Sequence, residues 1–161
     1  MGAVCGHDHD GRRGLTGQAL TRSLDEAEAR FARSGERLTT PRRRVLELLL
    51  AAGRPIKAYD LIADFGVDGR AAKPPTVYRA LEFLERTGLI HRIASISAYV
   101  ACAHDDDDHA AAFLICDCCG DTREIAPPAR ELLANRAAES GYRLERVTVE
   151  AHGLCQACQA S

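Results

Sequence analysis

No stretch of the sequence approaches the roughly 18 consecutive apolar residues that a membrane-crossing helix requires, so no spanning helix is expected. The opening run "MGAVCGHDHDGRR" also lacks the apolar centre of an export signal, and the expected location is therefore the cytoplasm. In that reducing setting the seven cysteines are poor candidates for a disulfide framework and better ones for metal ligands or reactive thiols. Aromatic residues are scarce, at 5% of the chain, so its β-rich C-terminal part needs further stabilisation from a partner chain or a metal. Apolar residues nevertheless make up 46% of the 161 residues, enough for one domain or two small ones with real cores.

The small net charge of −2 conceals a segregation. Residues 33–95 carry twelve basic side chains against seven acids, whereas residues 101–161 carry five against eleven. A basic block beside an acidic one suggests that one part of the chain meets a polyanion, although two ordinary solvated faces would give the same count.

Punctuation along the chain divides it into helices and then strands. Residues 1–22 are Gly-rich and without periodicity, and they read as a flexible tail whose Cys5, His7 and His9 could touch metal only at an ordering cost. Ser23, three residues before Glu26, reads as a capping box opening a helix that Gly35 stops. A second helix has Thr40 as its cap, Pro41 in its first turn and Gly53 beyond its end, and a third spans about residues 58–65. In "AKPPTVYRALEFLERTG" the two prolines forbid helix upstream and preset a first turn. Val77, Leu81 and Leu84 then form one buried stripe, with Thr76, Arg79 and Phe83 pointing elsewhere and Tyr78 at the border. "LIHRIAS" and "SAYVACA" follow as two strands of a hairpin.

Short helices closing on a hairpin give the order of a winged helix-turn-helix, whose last helix would present its N-terminal residues and Arg79 to phosphates and base edges. Beyond residue 100 the pattern is strand, strand, helix and long strand, a small α/β unit. The expected class is α+β, with residues 1–22 as tail, 23–97 as the winged-helix domain and 98–161 as a second domain.

Cys116 and Cys119 form one CxxC and Cys155 and Cys158 another. Two such knuckles supply the four thiolates of a tetrahedral structural zinc site. A redox CxxC would need a thioredoxin-like βαβ context, and a zinc deaminase would need H-x-E with P-C-x-x-C; neither is present. Nothing near these cysteines identifies itself as the base a thiol enzyme would need, so no catalytic residue is assigned. Cys118, inside the first knuckle, reads as a bystander.

A second group is His91, Cys102, His109 and Glu124. Each alone is an ordinary polar residue, but together they straddle the wing, the junction and the second unit, and their donor set favours zinc over iron or manganese. One ion on all four would tie the domains together. Asp105 to Asp108 read as a solvated loop; His104 and His152 could complete a further, weaker site, but none is assigned there.

With these motifs quoted, the chain resembles the ferric uptake regulator family, in particular its zinc uptake regulator branch, over about residues 24–158. The carriers are "LTTPRRRVLELL", "AKPPTVYRALEFLERTGLIHRI", "SAYVAC", "FLICDCCG" and "EAHGLCQAC". The resemblance implies a homodimeric, zinc-responsive repressor of zinc uptake genes, with the C-terminal domain dimerising and the winged helix binding a double-stranded, palindromic operator. It also implies that Tyr78 and Arg79 approach bases, that Lys73, Thr76 and Arg42 hold phosphates, and that each chain carries one structural and one regulatory Zn²⁺. Alternatives are a sensor of iron, manganese or peroxide from the same family and, further off, a thiol enzyme.

Overall fold

The computed structural model describes residues 14–66, 72–102, 111–125, 130–145 and 147–159. They form two compact units, one drawn from residues 14–102 and the other from residues 111–159.

The first unit opens with α1 (Gly17–Ser34), which starts six residues ahead of the expected Ser23 cap. Ser23 and Glu26 therefore lie inside the helix. The apolar stripe of Leu24, Ala27 and Phe31 is buried and extends upstream through Leu20, so packing overrides the local cap signal. Gly35 ends the helix at φ 75°, its N–H bonding back to the Phe31 carbonyl. α2 (Thr40–Ala52) has Thr39 as its N-cap in place of the expected Thr40, and it stops at Gly53, φ 60°.

Next come a two-residue strand β1 (Ile56–Lys57), α3 (Ala58–Asp64) and α4 (Pro74–Arg86). In α4 Val77, Leu81 and Leu84 are buried as expected, but so is Phe83, only 4% exposed. This corrects its outward assignment: the helix is wedged between neighbours and buries more than one stripe, and the Phe83 ring lies 5.1 Å from that of Phe31 on α1. Strands β2 (Ile90–Ile93) and β3 (Ala98–Ala101) pair antiparallel, and β1 adds to the far edge of β3 to complete a three-stranded wing. The unit is a winged helix-turn-helix.

In the second unit the sheet order is β5-β4-β6, from β4 (Ala111–Cys116), β5 (Thr122–Ile125) and β6 (Thr148–Gly153). β5 returns antiparallel beside β4. The chain then passes through α5 (Arg130–Glu139), and β6 pairs parallel with the other edge of β4, with Cys116 opposite Gly153. A four-residue helix, α6 (Gln156–Gln159), follows.

Candidate metal centre and nucleic-acid interface

Parallel pairing brings the two CxxC knuckles together. β4 and β6 run side by side in register and end at the same edge of the sheet, so the first knuckle leaves β4 at Cys116 where the second follows Gly153 by two residues. The Asp117 N–H donates to the Gly153 carbonyl (2.8 Å), carrying the ladder past the last strand residue. The Sγ atoms of Cys116, Cys119, Cys155 and Cys158 all lie within 4.8 Å of one another.

The spacing fits zinc. Sulfurs about 2.3 Å from a tetrahedral Zn²⁺ stand about 3.8 Å apart, and Cys119 Sγ and Cys155 Sγ are 3.8 Å apart. Backbone N–H groups prepare the first thiolate. Donors from Cys119, Cys155 and Cys118 pull the Cys116 thiol down to about 6, and the Cys155 N–H lies 3.3 Å from its sulfur. Burial, with its thiol neighbours, pushes Cys158 up to about 12. Four thiols packed this closely cannot all ionise alone, so a divalent cation is the group that would let them share the site.

On the other unit, Tyr78 is 50% exposed and Arg79 and Lys73 are exposed, all at the start of α4, with Thr76 half-buried among them. Pro74 and Pro75 have no N–H to offer, and the Thr76 N–H turns back to the Lys73 carbonyl (2.9 Å). This end of the helix therefore presents side chains to a ligand more than it presents backbone donors.

The model of the ferric uptake regulator family matches residues 33–152. The chain belongs to the ferric uptake regulator family. Among the family's characterised members, the zinc uptake regulation protein of Escherichia coli (strain K12) is 41% identical over 137 residues, covering 84% of this chain and 80% of that protein. A solved structure of a zinc uptake regulator complexed with zinc and DNA superposes with a TM-score of 0.81 at 38% identity, covering 89% of this chain and 97% of the other. Holo XcZur superposes at 0.76 with 39% identity, covering 87% and 99%.

Within this ferric uptake regulator chain the "PRRR" run is tied to its own fold. The Arg42 guanidinium lies 3.3 Å from the centroid of the Phe83 ring and donates to the Arg37 carbonyl (2.7 Å). Arg43 bridges to Glu28 (2.9 Å) and Asp25 (3.3 Å) on α1. Arg44 reaches Glu47 (2.9 Å) and the carbonyls of Phe65 and Asp64 at the end of α3.

Of the second metal group, His91 on β2 and Cys102 just past β3 have ligand atoms within 4.8 Å of each other. The pairing of β2 with β3 does this, and the Cys102 N–H continues it by donating to the Leu89 carbonyl (2.9 Å). Glu124 sits on β5 of the other unit, opposite Phe113. His109 lies outside the described residues, as do Cys5, His7, His9, His104 and Asp105 to Asp108. His152 Nδ1 is 2.8 Å from Asp117 Oδ1, a contact that sequence spacing gave no means to see because the two residues are 35 positions apart. The N–H donors to Cys116 were equally invisible, since backbone direction at a knuckle leaves no mark on residue type.

Proposed function

We propose that this chain is a zinc-responsive, DNA-binding transcriptional repressor that controls zinc uptake genes. The observation that carries the reading is the likeness, over 89% of the chain, to a zinc uptake regulator holding both zinc and DNA. Tyr78 and Arg79 read base edges from the exposed start of α4, while Lys73, Thr76 and Arg42 hold phosphates. Cys116, Cys119, Cys155 and Cys158 hold a structural zinc. His91, Cys102, His109 and Glu124 hold a regulatory one.

The working form is a homodimer on a palindromic, double-stranded operator in the cytoplasm, and it is a regulator, not an enzyme. Dimerisation is supported by the apolar surface that the second unit leaves uncovered, including Leu114, Leu132, Tyr142 and Leu154.

Regulation is a population shift: without the regulatory ion most molecules occupy a form with low operator affinity, and the ion favours the binding form. Turning a population from mostly inactive to mostly active takes about 5.5 kcal/mol of differential zinc affinity, which a few metal–ligand bonds supply.

Titrating zinc into wild-type and Cys102→Ser dimers while measuring operator binding tests the assignment. The wild type gains affinity with zinc and the variant loses that gain. A full zinc response in the variant would remove Cys102 from the regulatory site. Repeating the titration with iron and manganese separates this reading from that of a related sensor.

A further inference from the structure

The geometry points to Asp117 and His152 as a latch that holds the two zinc knuckles together and sets how long the structural ion stays bound. The inference rests on the four-cysteine zinc reading above and concerns two residues that are not ligands in it. Asp117 immediately follows Cys116 in the first knuckle, and His152 stands three residues before Cys155 in the second. Their side chains meet at 2.8 Å between Oδ1 and Nδ1.

Besides the approach of Cys119 Sγ and Cys155 Sγ, links among the described residues that cross between the knuckle arms at one end of the sheet are this side-chain contact, the Asp117 N–H to Gly153 carbonyl bond, and the Cys155 N–H to Cys116 Sγ contact at 3.3 Å. The Asp117–Gly153 bond joins backbone groups and follows from strand register, and the sulfur contact is accepted by a proposed zinc ligand. Among these links, the Asp117–His152 contact is the one made by two side chains that are not ligands.

An ionised carboxylate only accepts, so the imidazole donates through Nδ1–H, and this holds with the ring neutral. The bond then fixes the ring's tautomer, with the proton on Nδ1. Ion release from a four-thiolate site requires the knuckles to part, because each knuckle contributes two sulfurs and neither alone fills a tetrahedron. A link between the arms opposes that parting without touching the metal. Both side chains are solvent-accessible, 38% and 59%, so replacing them leaves no buried hole and no stranded buried charge.

The test follows zinc leaving the intact, zinc-loaded chain in the presence of excess 4-(2-pyridylazo)resorcinol, read by absorbance. The phase belonging to the four-cysteine site is the one that Cys155→Ser removes; if that variant removes none, the zinc reading itself fails, independently of the latch. Partners that orient metal ligands are worth 10- to 100-fold in affinity, and a solvated pair one step further out should give about 3- to 10-fold faster release in Asp117→Ala and His152→Ala. The double variant should release no faster than either single one. His152→Asn, whose amide nitrogen sits near the place of Nδ1, should restore slow release, and His152→Gln, whose amide lies near Nε2, should not.

Release at the wild-type rate in both alanine variants would overturn the latch. So would His152→Ala binding one zinc fewer per chain with the four-cysteine phase unchanged, since His152 would then be a ligand of a further ion.

Discussion

Arg79 stands exposed beside the half-exposed Tyr78 on the first turns of α4, where neither side chain serves the core. On the proposed reading, a guanidinium so placed takes a guanine edge through two parallel hydrogen bonds. Arg79→Ala should accordingly cost about 1–3 kcal/mol on the specific operator and much less on random DNA, as measured by titration at fixed salt. Equal losses on both would make Arg79 a phosphate contact. Lys73→Ala should instead weaken both kinds of DNA alike and lower the slope of log affinity against log salt by about one counterion. What was legible in the sequence was their exposure, because the helical period puts Arg79 off the Val77, Leu81 and Leu84 stripe and Tyr78 at its border. Arg42 was less legible. Its charge suggests a phosphate, whereas its guanidinium stacks on Phe83, a packing partner 41 positions away in the sequence, and donates to the Arg37 carbonyl.

Among the elements, α4 carries the most weight, since its buried residues meet α1 and α2 while its front end faces outward. Phe83 illustrates why periodicity alone misplaced it. A single stripe of Val77, Leu81 and Leu84 describes a helix lying on a core, but a helix with neighbours on two sides buries a wider arc. Removing the ring in Phe83→Ala takes away the Phe31 contact and the face that Arg42 covers, and should destabilise the winged-helix unit by about 3–5 kcal/mol, read by urea unfolding. Helix ends were the more readable feature: Gly35 and Gly53 both adopt the left-handed conformation at the stops expected of them. Helix beginnings were less so, because a Ser-x-x-Glu pattern is equally at home inside a helix whose apolar stripe continues upstream. β1, with two residues, is too short to carry any pattern of its own and forms because β3 offers it an edge.

For the whole molecule, the two units depend on different forces. The winged-helix unit has a continuous apolar cluster from Leu24 to Ile90. In the second unit α5 buries none of its described side chains, and Leu132 and Leu133 stay exposed, so β4 and the knuckles do most of the holding. Stripping the structural zinc with a strong chelator should therefore raise hydrogen exchange in β4, β5 and β6 while amides of α2 and α4 stay protected; uniform loss of protection would contradict this division. The sequence declared the four thiols plainly through their paired spacing. It could not declare the parallel register of β4 with β6 that brings them together, since pairing partners 37 residues apart are chosen by the finished sheet.

With that register, an ion held by the four thiols would be a clasp around a closed ring of chain. Cys119 and Cys155, 36 positions apart, sit on opposite arms of the clasp, and α5 lies on the ring between them. A protease cutting after the exposed Arg136 would sever the backbone without freeing either piece. The nicked protein should elute as one species from a sizing column, and its fragments should part only when the metal is taken away.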